Sequence, residues 1–108
     1  MMVCGRSFAG MQDQHILVPG VGGRLIRVLR VCISTSRAGT FELWSDPGGS
    51  TAVELMPPVH VAANATLDLR LGASYGLTAA RGRALGFSSV LDEPAARHSV
   101  LLWYELVN

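Results

Sequence analysis

Three histidines and two cysteines are the residues of this chain whose types could hold a metal: His15, His60, His98, Cys4 and Cys32. None of them stands in a C-x-x-C, H-x-H or H-x-x-x-H spacing, so only tertiary folding could gather them. Each histidine is expected at a strand end, half-exposed, and no metal or cofactor is expected. The stretch Gly5-Arg-Ser-Phe-Ala9 falls one residue short of the G-x-S-x-G elbow, and that motif needs an α/β scaffold larger than this chain. Gly20-Val-Gly-Gly23 lacks the Lys-Ser/Thr of a phosphate loop and opens a strand, so a flexible joint explains it better. The acids Glu42, Asp46, Glu54, Asp68, Asp92, Glu93 and Glu105 are scattered, and no pairing of two carboxylates across a cleft follows from their spacing. Trp44, Tyr75 and Trp103 could stack on sugar rings if they shared one exposed patch. No catalytic constellation emerges, and a non-enzymatic role is the expectation.

The elements that must position these residues read as strands. Arg24-Leu-Ile-Arg-Val-Leu-Arg-Val-Cys-Ile-Ser-Thr35 is rich in β-branched residues and free of Gly and Pro. It is apolar on both alternating faces, which predicts cover on both, by its own core and by a second layer or subunit. Arg27 and Arg30 interrupt the two faces, each a point that meets solvent or an acidic partner. Thr40–Ser45 and Thr51–Met56 flank the turn Asp46-Pro-Gly-Gly49 as a hairpin, and Pro57-Pro58 ends it. Val59–Val61 is a brief extended piece. Thr66–Leu71 alternates cleanly, with Leu67, Leu69 and Leu71 inward and Asp68 and Arg70 outward. Leu77-Thr-Ala-Ala80 reads as no more than one helical turn. Ala84–Val90 is a strand, and His98–Val107 closes the chain as a long strand inside a sheet, beside the opening one. About seven strands with a turn roughly every ten residues predict an all-β sandwich, jelly-roll or immunoglobulin-like in topology. Residues 1–23 read as an extended N-terminal arm with one apolar patch, Ile16-Leu-Val18, and residues 24–108 as the sandwich domain.

Composition narrows the function classes. A chain of 108 residues is one domain with a single core. Its 49% hydrophobic and 16% charged residues, with a mean hydropathy of +0.33, imply apolar surface and therefore association. A net charge of +1 with no run of either sign argues against nucleic acid as a partner. All nine basic residues are arginine, a pattern that a GC-rich coding bias produces and that also suits bidentate subunit contacts. No run approaches a membrane span, and the first ten residues lack a signal-peptide core. Synthesis in a cytoplasm, with both thiols reduced, is the expectation, and the Asn64-Ala-Thr66 sequon carries little weight there.

The order of elements after residue 23 resembles small structural proteins of tailed bacteriophages. Arg24-Leu-Ile-Arg-Val-Leu-Arg-Val, Ala38-Gly-Thr-Phe-Glu-Leu and Leu55-Met-Pro-Pro carry the likeness. Ala62-Ala-Asn, residues 77–87 and the closing Val-Leu-Leu-Trp-Tyr-Glu-Leu strand complete it. The match covers about four fifths of the chain, in turn and strand chemistry alone; the arm lies outside it, and Asp92–Arg97 is longer than the pattern. The resemblance implies a β-sandwich of the virion, such as a capsid decoration or cement protein made in the host cytoplasm and bound to the outer head. Its partners would be the major capsid protein and further copies of itself, a trimer being expected. Phe8, Ile16, Leu17 and Val18 are then the candidate anchors of the arm. Arg27, Arg30, Arg81 and Arg83 are candidates for polar contacts to acidic capsid surface. The alternative is a receptor- or glycan-binding module of a tail or fibre, built on Trp44, Tyr75 and Trp103.

Overall fold

The computed structural model describes residues 1–71 and 77–108, which hold ten strands and no helix. They are β1 (Met2–Ala9), β2 (Gln12–Val18), β3 (Leu25–Thr35), β4 (Gly39–Ser45), β5 (Val53–Glu54), β6 (Val59–Val61), β7 (Ala65–Arg70), β8 (Leu77–Ala79), β9 (Leu85–Leu91) and β10 (Arg97–Val107). Every pairing is antiparallel. Sheet A runs β1-β10-β3-β7 with β8 also on β3, and sheet B runs β2-β9-β4-β5 with β6 also on β4. With β5 and β6 as one broken strand, and β7 and β8 as another, eight strands fill two four-stranded sheets in jelly-roll order, and the chain changes sheet at every connection but the β4–β5 hairpin. The first and last strands pair with each other, which the immunoglobulin order does not do. The all-β sandwich is thus present, and the open choice of topology resolves to the jelly roll.

Three local expectations are corrected. Residues 1–23 are not a free arm: β1 pairs with β10 over eight residues, and β2 pairs with β9. Alternation in residues 2–9 is hidden because Gly5, Ser7 and Ala9 are small, so the stretch reads as irregular until its partner is known. Residues 77–79 form a strand on β3, not a helical turn. The third correction concerns β3, whose two apolar faces reflect a change of phase, not a second layer. Its buried residues are Ile26 and Val28, then Val31, Ile33 and Thr35. The register with β10 slips between Trp103 and Tyr104, leaving Leu29 as the extra residue of a β-bulge. Past that point odd positions face inward where even ones did before. The Leu29 carbonyl, released from the ladder, accepts the Leu71 amide at 2.8 Å. The outer face of β3 is therefore the polar one.

The core lies between the sheets, and its largest fully buried side chains include Phe41, Phe87, Leu17, Ile26, Ile33, Leu43, Leu85 and Leu102. Each such side chain contributes about 1.5–3 kcal/mol by leaving water. At the start of β4 the neighbouring strand β9 closes on Gly39, where an added Cβ would meet the Val90 carbonyl oxygen at 2.9 Å and the Leu91 side chain at 2.7 Å. Because a backbone oxygen cannot swing away, Gly39→Ala is expected to destabilise by about 1–3 kcal/mol, read as a lower chemical-denaturation midpoint. An unchanged midpoint would show that β4 and β9 separate easily there.

Candidate functional site

The outer face of sheet A is a set of parallel rows fixed by strand register. One row is Val3, Trp103, Arg30 and Arg70; the next is Gly5, Leu101, Cys32 and Asp68; the third is Ser7, Ser99, Ser34 and Thr66. Directly opposed residues on one face lie about 4.5–5.5 Å apart, so the residues of a row act on one another, and the third row is a band of hydroxyls. The β1 end of the first two rows is apolar. Val3 is 55% exposed and Leu101 38%, and Met1 and Met2 continue the patch along the edge. Gly5 leaves room for the Leu101 side chain, since a Cβ there would meet Leu101 Cδ1 at 3.3 Å. The β7 end is ionic. Arg30 donates from Nε to Asp68 Oδ1 at 2.9 Å and from Nη2 to Oδ2 at 2.8 Å, while Arg70 adds a looser contact at 3.8 Å. This fork holds the Asp68 carboxyl down at about 2, aided by the Cys32 thiol that donates to it. Burial first, and the neighbouring Asp68 second, push the Cys32 thiol up, so it is not an activated nucleophile. Arg30 also lies over the Trp103 ring, 4.5 Å from its centroid.

The hydroxyl row ends in a groove of about 530 Å³ whose walls include Ser7, Ser34, Ser36, Thr66, Arg97 and Ser99. Ser34 and Thr66 share a hydrogen bond of 3.0 Å, and the Ser36 hydroxyl donates to the Arg97 carbonyl at 2.9 Å. Sequence reasoning missed this groove, because Ser7, Ser99, Ser34 and Thr66 come from four separate strands. The only available signal was the outward phase of each.

The candidate residues named from sequence scatter. Leu17 and Val18 are buried in the protein's own core, at 2% and 5% exposure, so as they stand they cannot reach a neighbour. Phe8 is packed inward, its ring stacked on Phe87 at 5.7 Å and 5.1 Å from His15. Of the four anchors, Ile16 alone is largely exposed. Arg27 and Arg30 meet acids of this chain, Glu105 at 3.0 Å and Asp68, rather than those of a partner. Strand register puts those acids opposite or nearly opposite them. Arg81 donates to the Gly23 carbonyl at 2.7 Å, and Arg83 lies near enough to Asp46 to help lower its carboxyl, an effect led by the hydrogen bond from Thr51. These arginines do not form one patch.

The aromatic triad also separates. Trp103 projects from the outer face of sheet A, whereas Trp44 alternates with the buried Phe41, Leu43 and Ser45 and so projects from the outer face of sheet B. Tyr75 lies outside the described residues. The metal-ligand types are apart as well: His98 is in the core, His60 Nδ1 pairs with the Thr40 hydroxyl at 3.0 Å, and the Cys4 thiol donates to the Leu17 carbonyl. Among the described residues no group of three His, Cys, Asp or Glu comes together. One carboxylate pair does form. Burial, and then the neighbouring Glu54 carboxyl, push Glu42 up. The pair sits on the outer face of sheet B beside Trp44, through the register Trp44–Glu54.

No family model and no curated protein matches this chain. Solved structures with similar shape include PirA, at 11% identity and a TM-score of 0.40 over 95% of this chain and 93% of that one. The virus-like particle of the giant freshwater prawn Macrobrachium rosenbergii extra small virus matches at 10% identity and a TM-score of 0.38, over 95% of this chain and 76% of that one. TmCBM61, solved in complex with beta-1,4-galactotriose, matches at 14% identity and a TM-score of 0.37, over 96% and 68%. At these scores the likenesses carry no functional weight, and the jelly-roll assignment rests on the strand order itself.

Proposed function

We propose that this chain is a non-enzymatic structural protein of a virus particle, a decoration or cement protein on the outer surface of the head. The observation that supports it is the concentration of exposed apolar side chains along a free sheet edge. Val3 (55% exposed) on β1 and Leu101 (38%) on β10 share the outer face, and Met1 (83%) and Met2 (39%) continue the exposed apolar side chains along the edge. Edge strands are ordinarily blunted by Pro, lysine, bulges or short length. β1 has eight residues, no bulge, no Pro and one charge, Arg6. An edge of that kind suits contact with major capsid protein and with further copies, in groups of three. Weak contacts repeated over a particle add to a strong total.

The phage resemblance supports the same reading, and the sandwich itself supplies the rigid platform. A sugar site built on Trp44 and Trp103 is less favoured, because the two project from opposite sides of the sandwich. The reading is tested with Val3→Glu and Leu101→Glu, two exposed positions where a carboxylate leaves the fold intact. Both variants are expected to keep the wild-type melting temperature and to lose binding to particles stripped of this protein, measured by co-sedimentation. Antibody labelling of particles from the encoding source then locates the protein. Unimpaired sedimentation of both variants, or no label on any particle, would overturn the proposal.

A further inference from the structure

The groove at the hydroxyl end of sheet A stands apart from the apolar edge, and its chemistry is that of a binding site. Its volume of about 530 Å³ is in the range of small-ligand sites. Among the described residues, the Ser7 and Ser99 hydroxyls, the Asn64 amide and the Arg97 guanidinium line it without a hydrogen bond or ion pair. No acid lines it, and Arg97 is its one permanent charge. The four ion pairs of the described residues leave Arg97 out.

We propose that this groove binds the terminal sugar of an anionic glycan, its carboxylate on Arg97 and its ring hydroxyls along Ser7, Ser99 and Ser34. Each hydroxyl both donates and accepts, as sugar hydroxyls do. Strands about 4.8 Å apart set the groups at a repeat comparable to the width of one pyranose ring. An extended peptide would instead offer a backbone ladder, which β10 and β3 in the middle of the groove, paired on both sides, cannot receive. The planar guanidinium fork matches a carboxylate in two parallel hydrogen bonds. With no acid opposing it, the groove selects against cationic ligands. The Ser34–Thr66 bond and the Ser36–Arg97 carbonyl bond hold the β3, β7 and β10 walls in place before any ligand arrives.

The test titrates the full-length protein with sialyllactose, lactose and sodium sulfate while backbone amide shifts are followed by NMR. Sialyllactose is expected to shift the amides of Ser7, Ser34 and Ser99. Lactose should bind roughly tenfold or more weakly, the worth of a charge-assisted hydrogen bond. Arg97→Ala should bring sialyllactose to the lactose level, and Ser99→Val should weaken both sugars. Val3→Glu should leave sialyllactose binding unchanged, which separates this site from the edge contact proposed above. Equal binding of lactose and sialyllactose, equal shifts with sulfate alone, an Arg97→Ala protein that binds normally, or no shifts at these amides would each overturn the proposal.

Discussion

Removing residues 1–18 is expected to abolish cooperative folding, not to trim a dispensable arm. The deletion takes one strand from each sheet, and with them Leu17, Val18 and the stacked ring of Phe8. Each buried apolar side chain is worth about 1.5–3 kcal/mol, so the loss approaches the 5–15 kcal/mol by which a typical domain is stable. The inner side of β10 at His98 and Val100, and of β9 at Phe87, would be laid open to water. A milder form of the same experiment is Leu17→Ala, which should cost about 2–5 kcal/mol. Far-UV circular dichroism through a thermal melt reads both. A truncated chain that melts cooperatively near the full-length temperature would restore the arm and refute the placement of β1 and β2. The consequence for function is direct: particle binding has to be probed by point changes at exposed positions of β1, because truncation would confound binding with folding.

Acid lability centred on His98 is the second large effect expected. The imidazole is 4% exposed and is surrounded by the rings of Phe8 at 5.3 Å, Phe41 at 5.8 Å and Phe87 at 6.1 Å. Its Nδ1 has a long contact of 3.4 Å to the Ala96 carbonyl oxygen, and Nε2 has no partner among the described residues. Burial, the larger cause, holds the group below the ordinary histidine range, and the Ala96 carbonyl offsets this in part. The elements packed on it present the rings of Phe8, Phe41 and Phe87, which carry no charge, and His15 packs edge-on against Phe8. Below about pH 6.5 the unfolded chain takes up a proton at this residue before the folded one does. Stability is therefore fully present above that pH and falls as pH drops toward the depressed folded value. Each unit of depression is worth about 1.4 kcal/mol. Urea melts of the wild type and of His98→Phe between pH 8 and pH 5 measure it, and the variant should show a clearly shallower decline. Matching slopes would mean that another group carries the acid response. Because Phe8 is the link from β1 to this cluster, the acid-weakened region includes the strand that forms the apolar edge.

The sequence by itself determined that this chain is a β-sandwich. Turn chemistry at Asp46–Gly49 and Pro57-Pro58, the alternation of Leu67, Leu69 and Leu71, and the long closing strand are local signals. They depend on φ preferences and on a two-residue period that no partner alters. The position of β10 beside β3 was also legible, since a long terminal strand with apolar residues on both faces belongs inside a sheet. Tertiary structure alone decided the rest. Whether residues 2–18 are an arm or two strands depends on the register with β10 and β9, some ninety and seventy residues away in the chain. The double apolar face of β3 predicted an outer layer, but a bulge at Leu29 reverses the phase of the strand, and its outer side carries Arg27, Arg30 and Ser34 instead. Those arginines find Glu105 and Asp68 because antiparallel pairing places distant residues opposite one another. The same pairing lines up Ser7, Ser99, Ser34 and Thr66, and it sends Trp44 and Trp103 to opposite sides. Side-chain type sets what a residue can do, but in a sheet its neighbours are chosen by register, which is a property of the whole fold.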